Sequence, residues 1–420
     1  MQRFHGLLGI ALILGIAFLF SNNRNRISYR VVVSGLLLQL VIAVLVLKVP
    51  PVTKIFQFLG HGMEKIELFA FKGAAFVYDG IGILKPNGTI GNYASGGFVF
   101  AFNVTATIIL VCALVAVFYH YGIMQRIVAV IARAMNFVMR VSGAEALSNV
   151  ASAFVGQVEA QVLIQPYLPG MTRSELLASM SGSLACIAGG ILVVYANMGA
   201  QAGLDLAPKL ITASLMAAPG ALVISKIVWP ETEESQTMGK VKLEVKSHYT
   251  NVIDAVSHGA GEGFKIAMNV IAMLIGFIAV IAMLDFILLK AGHLFNPQFD
   301  LSLNWIFGKI FYPFAWSMGV PSGDVNNVAT LLGQKLTINE FVAFKNLTSK
   351  SVPVISEKGL LIVSIAICGF ANFSSVGMQI GGIGAIAPTR RTDLARLGLK
   401  ALLCGTLASY LSATIAGILM

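Results

Sequence analysis

The chain holds 420 residues, 57% of them hydrophobic and only 11% charged, with a mean hydropathy of +0.82. No water-soluble fold of this length has interior enough for that much apolar surface, which excludes a soluble enzyme and a disordered chain and makes lipid the missing solvent. The net charge of +10 would suggest nucleic acid in a soluble protein. Here the basic residues sit between apolar spans, the pattern of the positive-inside rule, so they report orientation and no nucleic-acid partner is expected.

In chain order, apolar stretches near 5–21, 31–49, 98–120, 175–200, 208–229, 265–290, 354–386 and 396–419 are each able to cross the hydrocarbon as a helix. The first lacks a small-residue cleavage site and reads as a retained helix. Arg24, Arg26 and Arg30 follow the first span, Arg126, Arg133 and Arg140 the third, and Arg390, Arg391, Arg396 and Lys400 precede the last. Placing these clusters in the cytoplasm puts the N-terminus and the segment 50–97 outside.

Two further apolar segments, Leu147 to Pro169 and Val325 to Leu347, carry polar residues and glycines in mid-stretch and have the length of hairpins that enter and leave on one side. Irregular backbone at membrane depth needs protein or a water-filled cavity to satisfy it, so both should line a cavity. The run from Asn149 to Gln157 (NVASAFVGQ) returns, one residue shorter, from Asn327 to Gln334 (NVATLLGQ). Each copy follows an aromatic, basic amphipathic stretch and precedes two spans. An odd number of crossings between the copies makes the repeat inverted, the signature of secondary transporters. Short polar interruptions follow each hairpin, Cys186 to Gly190 and Gly369 to Ser375, where unwinding would free backbone carbonyls. The fold expected is therefore an all-α polytopic membrane protein of about eight transmembrane helices plus two re-entrant helical hairpins in inverted repeats, with amphipathic interfacial helices.

Ionisable groups at bilayer depth cost about 2.5–3.5 kcal/mol on insertion scales and are functional candidates by default. Glu159 and Glu340, one in each hairpin, are the two that stand out, with Asn372, Ser374 and Ser375 forming a polar knot beside Phe370. Carboxylates, an amide and an aromatic face suit a neutral, polar, partly aromatic solute, whereas an anion would meet negative charge compensated only by Lys335. No nucleophile with a base, and no metal cluster, is readable, so the chain is not expected to be an enzyme. The four cysteines, Cys112, Cys186, Cys368 and Cys404, read as small buried hydrophobes. Asp324 is expected to cap the second hairpin, Gly259 to Gly263 to form a flexible connection, and Glu231 to Lys246 a solvated charged loop.

Three motifs together, Gly156 to Ala160 (GQVEA), Gly333 to Lys335 continuing into Asn339 to Ala343 (NEFVA), and Gly369 to Ser375 (GFANFSS), resemble the concentrative nucleoside transporters, sodium- or proton-driven importers. The likeness runs over nearly the whole chain. It implies a homotrimer in the lipid bilayer of the cell inner membrane, with scaffold helices in 1–120 and 231–299 and a mobile domain built from the repeats 121–230 and 300–420. It implies that Gln157 and Glu159 bond the nucleobase of a nucleoside such as uridine, beside Val158. Phe370 and Ile191 would pack on that base, and Glu340, Asn372 and Ser375 would hold the ribose. It implies an elevator-type symporter with a sodium ion at Ser152, Val155, Cys186 and Ile187; a proton-coupled symporter and an uncoupled uniporter are the alternatives. The sequence departs from the family where Thr is usual at Val158, Pro at Gln161, Asn at Ser152 and Ser at Cys186, which weakens the sodium site because a thiol is a poor ligand for a hard cation.

Overall fold

The computed structural model describes residues 2–78, 100–238, 249–296, 300–349 and 355–420. Its helices in the first half are α1 (Gln2–Leu19), α2 (Tyr29–Lys48), α3 (Pro50–Tyr78), α4 (Phe100–His120), α5 (Ile123–Met139), α6 (Gly143–Ser152), α7 (Glu159–Val162), α8 (Arg173–Ala185), α9 (Gly189–Gln201) and α10 (Ala207–Val228). The second half has α11 (Val252–Phe295), α12 (Leu303–Ile310), α13 (Tyr312–Ser317), α14 (Val325–Thr337), α15 (Glu340–Leu347), α16 (Glu357–Ile367), α17 (Phe373–Ile386) and α18 (Arg391–Leu419). No strand occurs among the described residues.

By length and composition, α2, the pair α8 and α9 across their break, α10, and α18 with its short lead-in can each cross a membrane. Helices α4 and α5, bent by 76° at their junction, add a fifth when counted as one span. That bend, at Gly122 with φ +72°, lays down α5 as the amphipathic element expected after the third span. Its Ala132 and Met139 are buried while Phe137 and Val130 are exposed. The residues from His5 to Leu19, and α17, are apolar but shorter. Helix α3 occupies the first part of the expected outer segment; its remainder, 79–97, lies outside the described residues.

Both segments expected to form hairpins are helices broken in mid-stretch, at the polar residues. The first comprises α6, a turn and α7, and opens at Gly143, four residues before the expected start, because Ser142 and Glu145 form a reciprocal capping box. The second comprises α14 and α15, with the break at Ile338 and Asn339. The interruptions at Cys186 to Gly190 and Gly369 to Ser375 are also breaks: α8 ends at Ala185 and α9 begins at Gly189, and α16 ends at Ile367 and α17 begins at Phe373.

These breaks meet each other. The Phe370 N–H donates to the Cys186 carbonyl at 3.2 Å. Gly369 stands at φ +143°, and a Cβ there would lie 2.4 Å from the Ala185 carbonyl oxygen, so only glycine permits the approach. Around this crossing the core is tied by buried polar groups. Gln39 on α2 donates to the Met216 carbonyl on α10 at 3.0 Å and to Ser412 Oγ on α18 at 2.9 Å, which satisfies an amide nitrogen that lipid could not.

Three local expectations need correction. Asp324 sits at the N-cap position of α14 without capping it; its carboxylate accepts from the Ser356 N–H and hydroxyl, tying the start of the second hairpin to the start of α16. Gly259 to Gly263 is no flexible connection but part of the 44-residue α11. A Cβ at Gly259 would lie 2.7 Å from Ala116 Cβ and one at Gly263 2.8 Å from Ile109 Cα, so the pair is a small-residue seam against α4. The loop after α10 is docked, not simply solvated. Lys226 Nζ bonds Glu145 at 2.8 Å and Glu231 at 3.3 Å, and the Gly143 N–H donates to the Thr237 carbonyl at 2.9 Å. Its continuation, 239–246, lies outside the described residues.

Candidate functional site

Helix α15 begins with Asn339 as its N-cap, whose side chain accepts from the Val342 N–H at 2.9 Å. That cap makes Glu340 the first helical residue, with its carboxylate at the positive end of the helix, where a buried negative charge is best tolerated. Asn372 plays the same part for α17: its Oδ1 accepts from the Ser375 N–H and the Ser374 hydroxyl, both at 2.8 Å. The other end of the Asn372 amide then points back, and Nδ2 donates to Glu340 Oε2 at 2.9 Å. One asparagine thus starts α17 and positions the acid.

The second carboxylate oxygen of Glu340 accepts from the Tyr195 hydroxyl at 3.2 Å, and the Tyr195 ring stacks on Phe344 with centroids 4.3 Å apart. Sequence reasoning missed Tyr195. The available signal was its place one turn beyond Ile191 on α9, which puts both on one helix face. Lys335 on α14 is also fully buried, and among the described residues its Nζ has no hydrogen-bond partner.

The first hairpin approaches the same helix from another side. Gln157 Nε2 contacts Met378 Sδ at 3.9 Å, and Val158 packs where a Cβ at Gly382 would be, 2.6 Å from Val158 Cγ2. Ser375, Met378 and Gly382 recur at helical spacing, so Gln157 and Val158 of the first hairpin lie along one face of α17, whose N-cap Asn372 meets Glu340 of the second. Glu159 heads α7 and is exposed, with its carboxylate folded over Gly156 where a side chain would otherwise stand. Among the described residues no hydrogen bond joins Gln157 or Glu159 to Glu340 or Asn372; α17 is the link. Ile191 and Phe370 are partly buried against the core.

Among the described residues two buried atoms here have no hydrogen-bond partner: Gln157 Oε1 and Ser375 Oγ. Leaving such groups unsatisfied costs about 1–3 kcal/mol each, so a polar cargo or water belongs against them.

At the place of the implied ion, Ser152 Oγ donates to the Ser148 carbonyl at 2.7 Å and shares a hydrogen bond with Ser183 Oγ at 2.8 Å. Cys186 Sγ lies 3.9 Å from the Asn149 carbonyl oxygen, and the Cys186 carbonyl is taken by Phe370. The Ser152 and Ser183 hydroxyls are engaged with each other within the protein and Cys186 offers a soft thiol, a poor set for a hard cation.

Broken helices that meet at buried polar groups, in a chain of apolar spans, are the architecture of a helical membrane transporter. The comparisons agree. The chain matches the family described as Na+ dependent nucleoside transporter, C-terminus over residues 209–417 and N-terminus over 8–81, with a nucleoside recognition Gate region over 101–202 between them. It is 37% identical to the nucleoside permease NupC of Helicobacter pylori, over 98% of this chain and 96% of that protein. It is 36% identical to sodium/nucleoside cotransporter 1 of Mus musculus, over 98% of this chain and 63% of the longer mouse protein. The structure of CNTnw in an inward-facing substrate-bound state superposes with a TM-score of 0.91 at 39% identity, covering 100% of this chain and 98% of that one; an outward-facing CNTnw variant gives 0.90. The chain belongs to the concentrative nucleoside transporter family, whose members are transporters and not enzymes.

Proposed function

We propose that the protein imports nucleosides by cation-coupled symport, with Gln157, Val158 and Glu159 meeting the nucleobase and Ile191 and Phe370 packing on it. Glu340, Asn372 and Ser375 hold the ribose hydroxyls. The observation that carries this is the pairing of two unpartnered buried acceptors, Gln157 Oε1 and Ser375 Oγ, on one face with the Tyr195, Glu340 and Asn372 network. A nucleoside offers donors for the acid, and both donors and acceptors for the amide and the hydroxyl.

The repeats 121–230 and 300–420 would form the domain that slides across the bilayer, against a scaffold of 1–120 and 231–299 in a homotrimer of the inner membrane. About eight crossings and two re-entrant hairpins belong to this reading. Solved relatives in inward-facing and outward-facing states support such a movement.

Sodium is the ion by which the family is described. A proton is the second reading, favoured by the poor donor set at Ser152 and Cys186. The test is uptake of labelled uridine into proteoliposomes with sodium and pH gradients varied independently. Accumulation above equilibrium supports symport and identifies the ion; equilibration without accumulation makes the protein a uniporter; no uptake removes the nucleoside reading.

A further inference from the structure

Behind the first hairpin lies a polar network that the cargo site does not use. Gln161 on α7, Ser179 and Ser183 on α8, and Ser152 at the end of α6 are all buried to 2% exposure or less. Gln161 Nε2 donates to Ser183 Oγ at 2.8 Å, and Ser179 Oγ donates to Gln161 Oε1 at 2.7 Å. The order of donors is determined by valence. An amide nitrogen can only donate, and the Ser152 hydroxyl spends its proton on the Ser148 carbonyl, so the hydrogen between the two serines belongs to Ser183. One directed chain therefore runs from the Gln161 amide through Ser183 and Ser152 to the α6 backbone. It joins α6, α7 and α8, three segments that meet where an ion would bridge them.

Gln161 also explains the contrast within α7. Residues two apart point to opposite sides of a helix, so Gln161 is buried in the network while Glu159 faces away from it and is exposed.

We infer that Gln161 is a resident tether: its side-chain amide holds the first hairpin on α8 as a bound cation would, so the hairpin is ordered for cargo with no ion at Ser152 and Cys186. This rests on the reading of Gln157 and Glu159 as nucleobase partners. Gln161 is a positioning residue; it touches no cargo and acts through the fraction of hairpins in the competent arrangement, to which apparent affinity is proportional.

The experiment is calorimetry of uridine binding to the full-length protein in sodium chloride and in choline chloride, with hydrogen exchange of the 153–162 amides measured in parallel. Wild-type affinity and exchange should agree within about twofold between the salts. Gln161→Leu should weaken binding about tenfold, as expected if the competent fraction falls to a tenth, at unchanged stoichiometry and with faster exchange in 153–162. Adding Ser152→Asn and Cys186→Ser to Gln161→Leu should restore affinity and protection in sodium but not in choline, a readout that mere loss of packing would not give. If Gln161→Leu does not fold, Ser179→Ala removes one end of the tether and should show the same trend at smaller size. Wild-type affinity that rises about tenfold or more in sodium, or unchanged exchange in the variants, overturns the tether. Absence of uridine binding by the wild type in both salts refutes the nucleoside reading, and the exchange measurement still decides the tether.

Discussion

The Tyr195 hydroxyl donates to Glu340 Oε1 at 3.2 Å, joining the broken span of the first repeat to the second hairpin across 145 residues of sequence. Removing the hydroxyl leaves the ring stacked on Phe344 and takes one hydrogen bond from a buried acid. Bonds to charged groups contribute about 1.5–3 kcal/mol, so Tyr195→Phe should weaken uridine binding about tenfold or more without unfolding. Calorimetry on the purified variant checks it, and wild-type affinity would deny Tyr195 this role.

Glu340→Gln and Asn372→Ala should each abolish measurable uridine binding. The first removes the charge that both Tyr195 and Asn372 orient; the second removes the donor to Glu340 together with the cap of α17. Losing an N-cap costs about 1 kcal/mol, small enough for the fold to survive. Size-exclusion profiles matching wild type, with no binding heat, are the expected result. Unchanged affinity in either variant would remove that residue from the cargo site.

Ser152→Asn should strengthen the response to sodium. The amide oxygen is a harder and longer-reaching donor than a hydroxyl that already donates to Ser148 and pairs with Ser183. The check is the ratio of uridine uptake in sodium to that in choline at constant pH. An identical ratio before and after substitution would separate Ser152 from ion binding.

Lys226→Met should lower the thermal midpoint in detergent substantially. Lys226 compensates Glu145 at 2.8 Å and Glu231 at 3.3 Å and also donates to Ser174 Oγ at 2.9 Å. Removing one partner of a buried pair costs about 3–5 kcal/mol, because the other charge is left uncompensated. Glu145→Gln in the same chain should recover part of the loss. Equal midpoints for Lys226→Met and wild type would show that the cluster contributes nothing.

Gly369→Ala should disable the protein by displacing the crossing of the two breaks. The new methyl group would meet the Ala185 carbonyl in a backbone conformation that L-residues rarely adopt, with a strain of about 1–3 kcal/mol before any clash. Lost uridine binding with preserved helical circular dichroism is the expected pair of readings. Retained affinity would mean the crossing relaxes freely.

What could be read from the residues alone was whatever depends on local composition. Apolar runs marked the helices long enough to cross, α2, α8 with α9, α10 and α18, because lipid accepts little else. The polar and glycine interruptions marked the breaks between α6 and α7, α8 and α9, α14 and α15, and α16 and α17, since such residues are tolerated at depth only where the backbone is irregular. Glu340 and Asn372, which the structure joins by a hydrogen bond, stood out for the same reason. Asp324, Gly259 and Gly263 were misread because a cap, a turn and a packing seam use the same residue types, and only the neighbouring helix tells them apart.

The tertiary structure alone decided the pairings. Tyr195 belongs to Glu340, Gln161 to Ser183, and Asp324 to Ser356 because of which helix faces meet. That choice is made by side-chain packing between segments tens to hundreds of residues apart. Hydropathy carries no record of it: a buried hydroxyl or amide looks the same in sequence whether it faces a cargo, an ion or another side chain.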